Sequence, residues 1–554
     1  MQTKSLRSLY YGIRMTENYS AKLGITLNSI YLACIILFAV GITYNHIQLI
    51  SHDYPLDYNE GGMLAITSTI EQGGNPYSLQ SQPARISVYP ILYNILLAPL
   101  SHAFGATLEL HRLVAGLFIL ACCAICFYLC RKESVARTES FTAAALLYAG
   151  LLHYSTPIAG PNSLGLFLFL SAITIPWVYG FSKRSLCAAI ILGILAFYTK
   201  QYFIACLGYV AFYLFIAESK KRAVSFGLAV LAIFIALMIF VSYISPYYFD
   251  DTFFAVKSGA KLASSYTHLV TQLRGYTLIY LPLLVFLAAW LVKKCYLRIF
   301  SSAPYGQNIQ KEKFVNFFDF DAPLLLRRPN YIWFCCACSM MIIVLSLGKN
   351  VGNYLTYFFQ LISPFLLVGI FALISRMPAW RWPIKILIVF ALYNNYAMLP
   401  TDFSVNEKSW QIIQQEIAEA DDMYASTIVL QEVIKKDLPI YLNGHTRYFP
   451  FGKDKPAFFV KTDQKKRVSE IWDNHIELIQ TKIKNQEFDL LLIDPYMMFP
   501  STSQNPVADT QTLLRAHYKR TADVPLLLAN RSGGGKFNVQ IWKPIPDIPD
   551  ETKQ

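Results

Sequence analysis

Charge is scarce in this chain. Only 15% of its 554 residues are Asp, Glu, Lys or Arg, against about a quarter in a soluble globular protein. Cysteine is absent after residue 400, so the last quarter of the chain holds no disulfide whichever compartment it faces. Histidine is sparse, and no Cys/His spacing suits zinc. The run Cys335-Cys336-Ala337-Cys338 sits in an apolar stretch, as do Cys122, Cys123, Cys126 and Cys130, which reads as small core residues rather than a metal knuckle. No small-residue cleavage motif follows the first apolar run, at 25–50, so it reads as an uncleaved span rather than a signal peptide.

Apolar residues fill that gap. They make up 55% of the chain and fall in long runs, the pattern of a polytopic, all-α membrane protein. A net charge of +13 would point to nucleic acid in a soluble protein. Here it reads as lysines and arginines holding the cytoplasmic ends of helices, with membrane lipids as the partner and no nucleic acid.

Candidate spans lie near 25–50, 108–130, 139–158, 162–182, 185–200, 202–217, 223–245, 276–292, 330–348, 352–375 and 383–399. That makes about eleven transmembrane helices, most near the length needed to cross. The stretch 88–104 is ambiguous. If it does not cross, the basic loops (Arg131-Lys132, Lys183-Arg184, Lys220-Lys221-Arg222, Lys293-Lys294, Arg376) all share the side of the N-terminus. Charge bias then makes that side cytoplasmic and 88–104 an interfacial helix on the outer surface. The external face receives the first loop, 51–107, and everything after 400. Residues 1–400 form the membrane domain. Residues 401–554 read as a soluble α/β domain, with a helix over 409–423 and strands at 439–442, 488–494, 524–528 and 537–542.

The first external loop carries Asp57-Tyr58-Asn59-Glu60-Gly61-Gly62. Residues 61–72 have the spacing of a short amphipathic helix, with Met63, Leu64, Ile66 and Ile70 on or near one face and Gly73-Gly74 as its stop. Asp57 and Glu60 can form a capping box for it. They can equally do chemistry: a shielded carboxylate acts as a general base, and a second one steadies it, orients an acceptor or holds a divalent cation. The two readings are compatible.

Asp57-Tyr58-Asn59-Glu60-Gly61, Gly74-Asn75-Pro76-Tyr77, Tyr89-Pro90-Ile91-Leu92-Tyr93 and Ala98-Pro99-Leu100 together resemble the first-loop signature of GT-C glycosyltransferases. The branch it most resembles is the bacterial polyprenyl-phosphate-sugar transferases related to protein mannosyltransferases and the aminoarabinose transferase. Tyr198-Thr199-Lys200-Gln201 and Gly348-Lys349-Asn350-Val351-Gly352-Asn353-Tyr354 add to the resemblance. It implies a GT-C-like fold in the bacterial inner membrane with a periplasmic active site. It also implies inverting transfer of a sugar from a polyprenyl-phosphate carrier to a hydroxyl of a glycan, lipid or protein. Asp57 matches the catalytic base and Glu60 a second acid. Many relatives carry an Arg-Pro-Asp-like motif where this chain has Gly160-Pro161-Asn162, so that arginine and acid have no counterpart here. No cofactor is implied beyond a divalent cation at Asp57 or Glu60.

A lipid-phosphate leaving group calls for fixed cations. Lys200 and Lys349 stand at outer span ends against the positive-inside trend, and Arg85 precedes the interfacial helix, so all three are candidate phosphate ligands. Tyr89, Asn353 and Tyr354 are candidate substrate contacts beside them. A flippase is the main rival and would need charges near the middle of several spans; a glycan ligase or polymerase is another.

Overall fold

The computed structural model describes residues 2–57, 59–155, 160–254, 288, 292, 331–346, 354–376, 381–397, 403–442, 462–494, 499–500, 506–527 and 536–546. Helix α1, Gln2–Ser51, is continuous through the first expected span. Among the described residues, Ile25–Ser51, Leu108–Lys132, Gln201–Glu218 and Lys220–Ile244 are long and apolar enough to cross a membrane. The apolar helices Asn162–Val178, Tyr331–Ile342 and Gln360–Ser375 are shorter. The expected span at 276–292 falls almost entirely outside the described residues.

After α1 come α2 (Glu60–Glu71), α3 (Leu92–Phe104), α4 (Leu108–Lys132), α5 (Arg137–Ser155), α6 (Asn162–Val178) and α7 (Lys183–Thr199). Then follow α8 (Ala205–Tyr213), α9 (Lys220–Ile244), α10 (Tyr331–Ser346), α11 (Tyr354–Ser375) and α12 (Arg381–Ala397). They share one apolar core, in which Ile35 of α1, Cys122 and Cys126 of α4, Phe169 of α6, Cys335 of α10 and Leu361 of α11 are buried. At the end of the bundle opposite the first loop, Lys385 donates to Asn28 at 2.7 Å and pairs with Glu139 at 3.1 Å, tying α1, α5 and α12.

The first loop folds into two short helices. Helix α2 ends where Gly73 turns left-handed, at φ 76°. The N–H groups of Gly73 and Gly74 return to the carbonyls of Ile70 and Thr69, at 2.9 and 2.8 Å, which is a Schellman stop. Helix α3 has 13 residues. Its length of about 20 Å falls short of a hydrocarbon core of about 30 Å. Asn94 in α3 donates to the Met63 carbonyl at 3.0 Å and to Thr67 at 2.9 Å, so the two helices lie together.

Helix α2 is not the amphipathic surface helix that its sequence suggests. Every residue from Glu60 to Thr69 is buried. Met63 enters the membrane core. Leu64 packs with Leu108, and Ala65 joins a core made by the C-terminal part of the chain. The outward side of α2 is covered from far along the sequence, which no local periodicity can reveal.

After residue 400 the described residues hold a four-stranded sheet of order β1-β2-β4-β3. The strands are β1 (Met423–Ala425), β2 (Leu490–Ile493), β3 (Tyr518–Leu527) and β4 (Lys536–Pro544). The first pair is parallel and the others antiparallel. Helices α13 (Ser404–Glu419), α14 (Leu430–Lys435), α15 (Thr462–Lys484) and α16 (Val507–His517) accompany it. The expected strand at 439–442 does not form. Pro439 brings no N–H, and the Tyr441 carbonyl meets the His475 ring at 2.9 Å instead of a neighbouring strand. Met423, expected to end a helix, lies in β1.

One core joins this part to the first loop. Leu49, Tyr54, Leu56 and Ala65 are buried with Trp410, Ile413, Ile428, Val433 and Leu492. The two parts approach closely at Gly61, where an added Cβ would lie 2.0 Å from the Thr427 carbonyl oxygen and 3.2 Å from Leu430 Cβ. Gly61→Ala therefore forces α2 and the 427–430 segment apart. The expected loss is about 1–3 kcal/mol of stability, measured as a lower thermal unfolding midpoint of the detergent-solubilised protein. An unchanged midpoint would show that this contact is dispensable.

Candidate active site

The chain between α1 and α2 is bound by one arginine. Arg112 lies one turn into α4 and is wholly buried. Its Nε donates to Glu60 Oε1 at 2.9 Å, and one terminal nitrogen donates to Glu60 Oε2 and the Tyr54 carbonyl, both at 2.7 Å. The other terminal nitrogen donates to the His52 carbonyl at 2.6 Å and the Leu49 carbonyl at 3.3 Å. A guanidinium has five N–H donors, so these contacts occupy all of them. Glu60 is equally buried, and its Oε2 also accepts from the N–H groups of Leu56 at 2.7 Å and Asp57 at 3.2 Å. The paired, fork-on-fork geometry is the strong form of such a contact.

Asp57 is 2% exposed. Its Oδ1 accepts from the Asn59 N–H at 2.8 Å, an Asx turn that sharpens the entry to α2. Only part of the expected capping box exists. Glu60 does reach back to the Asp57 N–H, but it begins the helix rather than sitting at its third position. Asn59 is the N-cap and makes no side-chain cap bond. Arg112 draws the Glu60 carboxylate, and the loop bends to follow it.

This geometry bears on whether Glu60 can hold a metal ion. Both oxygens are engaged, and the guanidinium would repel a cation placed beside them. Glu60 is therefore engaged with Arg112 and the loop backbone and does not fit a metal ligand. Nearby, His52 stacks on Tyr54 with ring centres 4.5 Å apart. Among the described residues, no group of three or more His, Cys, Asp or Glu side chains is placed to hold a metal ion.

The same end of the bundle holds Lys200, in the turn between α7 and the next helical turn, outside the helices themselves. It is 8% exposed. Its Nζ donates to Asn162 Oδ1 at 2.8 Å and lies 5.2 Å from the ring centre of Tyr89 and 5.7 Å from that of Tyr202. Burial pushes its ammonium down to about 7. Asn162, which stands where the Arg-Pro-Asp-like motif has its acid, offers this lysine an amide oxygen. Tyr89 is itself fixed: its carbonyl accepts from the Ser87 hydroxyl at 3.0 Å and from the Tyr77 hydroxyl.

The structure thus brings Lys200 and Tyr89 together, and separately Asp57 and Glu60, with α3 following Tyr89 and lying against α2. Arg85 is placed elsewhere, donating to Gln72 at the end of α2 at 3.2 Å. Lys349 and Asn353, and the side chain of Tyr354, lie outside the described residues. Sequence reasoning passed over Arg112, although an arginine inside an apolar run is itself a signal. It also passed over Asp250 and Asp251, which follow α9 and are buried at this end of the bundle.

No family model matches the chain, and no curated protein matches it. Among solved structures, ArnT from Cupriavidus metallidurans bound to undecaprenyl phosphate is similar over 92% of this chain and 97% of its own, with a TM-score of 0.51 at 12% identity. The apo form of the same protein matches with the same coverage and TM-score at 10% identity. At this identity the likeness shows the fold alone, which this chain shares with the ArnT structure.

Arg112→Met would leave the Glu60 charge buried without its partner. The expected cost is about 3–5 kcal/mol, read as a large drop in the thermal unfolding midpoint. Adding Glu60→Leu to that variant should restore only the part of the loss due to the unpaired charge, because the carbonyls held by Arg112 and the N–H groups held by Glu60 still lose their partners. A midpoint within a degree or two of wild type in the single variant would contradict the pairing.

Proposed function

We propose that the chain is an integral-membrane glycosyltransferase that moves a sugar from a polyprenyl-phosphate carrier to an acceptor hydroxyl, with inversion. The observation that carries this reading is the pair of sites at one end of a GT-C fold. One is a buried, positioned carboxylate at Asp57, and the other a desolvated lysine over a tyrosine ring at Lys200. The undecaprenyl phosphate bound in the similar ArnT structure supports a lipid-phosphate donor.

Asp57 takes the proton of the acceptor hydroxyl as its oxygen attacks the anomeric carbon from the face opposite the phosphate. The anomeric carbon–oxygen bond to phosphate breaks as the new glycosidic bond forms, and polyprenyl phosphate departs with the electron pair. Lys200 holds that anion, whose charge is worth more in a site that excludes water. Glu60 acts through the backbone by holding the Leu56 and Asp57 N–H groups. On this reading residues 1–400, with about eleven spans, form the membrane catalytic domain. The first loop and the α/β domain of 401–554 face the periplasm, and the N-terminus faces the cytoplasm. The sugar goes to a glycan, lipid or protein acceptor in the cell envelope.

Mass analysis of cell-envelope glycans with and without the active protein tests the reading. Asp57→Asn should remove the added sugar, a loss of about 100-fold or more in transfer, while the protein still inserts and binds undecaprenyl phosphate. Full transfer by this variant would remove Asp57 as the base.

Binding of undecaprenyl phosphate should also depend on pH through Lys200. A bound phosphate favours the ammonium form, so the lysine's pKa is higher in the complex than in the free protein. Affinity is then full below the free value of about 7 and falls as pH rises above it. Between pH 7.5 and 9, where a phosphate monoester is already close to its dianion, the fall should approach about tenfold per pH unit. Lys200→Met should bind about tenfold more weakly at neutral pH, with a flat profile. Identical pH profiles for the two proteins would exclude Lys200 from the phosphate site.

A further inference from the structure

Helix α15 touches the first loop at Gln82 and Ile86. Trp472 on this helix is fully buried with Ile86, Tyr247 and Val468, and Leu79 packs against them. Its indole N–H donates to Gln82 Oε1 at 3.0 Å. Gln82 is buried too, and its amide nitrogen donates to Asp251 Oδ2 at 3.2 Å. The next residue, Thr252, accepts at its carbonyl from Gln201 Nε2 at 2.8 Å. Gln201 directly follows Lys200. Four segments distant in sequence are therefore joined by three hydrogen bonds and the peptide link between Asp251 and Thr252, running from the C-terminal part of the chain to Gln201, the chain neighbour of the lysine.

Each link is specific. Trp Nε1 is a donor only, so it can meet Gln82 only at the amide oxygen. That choice turns the amide nitrogen of Gln82 toward Asp251. The Asp251 carboxyl is held well above the usual carboxylate range, first by burial and then by the neighbouring Asp250, against the opposing pull of Gln82. A side chain this buried keeps its place only while its partner does. Loss of the indole N–H frees Gln82 to rotate, and with it the 250–254 turn that Gln201 grips.

We infer that Trp472 is a positioning residue for the anion site at Lys200, acting through Gln82 and Asp251. The C-terminal part thereby sets the affinity for the lipid phosphate without touching it. The inference rests on the proposed role of Lys200 and assigns Trp472 and Gln82 a part in it.

The test uses the full chain in nanodiscs with undecaprenyl phosphate as the probe. Trp472→Phe keeps an aromatic ring in the small core and removes the N–H. Gln82→Leu removes the relay. Each should weaken binding by about fivefold or more, and the double variant should be no weaker than the weaker single, because both break one line. Trp410→Phe is the control. Trp410 is as buried in the C-terminal core, but its indole nitrogen has no hydrogen-bond partner among the described residues, so its substitution should leave affinity unchanged. The inference is overturned if Trp472→Phe binds within twofold of wild type while Lys200→Met loses affinity. It is also overturned if the two single effects multiply in the double variant, or if Trp410→Phe weakens binding as much. A wild-type protein that does not bind the probe, or a Lys200→Met variant that binds as well as wild type, would instead sink the donor reading, and the inference with it.

Discussion

The first-loop end of this molecule is organised around a single buried guanidinium. Arg112 brings together the end of α1, the chain leading to α2, and α4, through one carboxylate and three backbone carbonyls. Burying two charges is costly, and such a pair adds little net stability compared with apolar side chains in the same space. It adds definition instead. A greasy contact would tolerate several loop arrangements, whereas five N–H donors with five fixed acceptors tolerate one. The loop so defined carries Asp57, whose own N–H is held by the same Glu60. The proposed base is therefore positioned from its backbone side, by a residue that is spent on structure.

A second constraint follows from the first. With its start tied to α4, α2 lies where membrane core, first-loop core and C-terminal core meet. Gln431 makes the junction tighter, accepting from the Leu108 N–H at 3.1 Å at the start of α4 and donating to the Asp53 carbonyl at 2.8 Å. The C-terminal part is thus wedged onto both walls of the Arg112 site, and Gly61 marks where no side chain fits between them.

Much of this was legible in the sequence, for physical reasons. Low charge and long apolar runs announce a membrane helix bundle because hydrocarbon admits little else. Two acids beside a glycine pair stood out against a background poor in acids. Lys200 stood out by breaking the charge bias of the loops. What was missed depends on tertiary partners. The capping reading of Asp57 and Glu60 used only local geometry, and Arg112, some fifty residues on, overrode it. The outward face of α2 looked ready for water because nothing nearby in sequence covers it. The run 439–442 has strand-like composition, but its carbonyl is taken by a histidine on a later helix. Arg112 itself was visible as a charge inside an apolar run and was passed over, so that omission belongs to the reading and not to the sequence.

The central claim is that the Arg112–Glu60 pair holds the backbone that aims Asp57. Residue-resolved hydrogen exchange at the Leu56 and Asp57 amides tests it most directly, because both N–H groups end on the Glu60 carboxylate. In the wild-type protein these amides should exchange slowly. In Arg112→Met they should exchange at least about tenfold faster, with the amides of α9 unchanged. Equal protection of the two amides in both proteins would show that the loop is held by something else, and would contradict this account of the site.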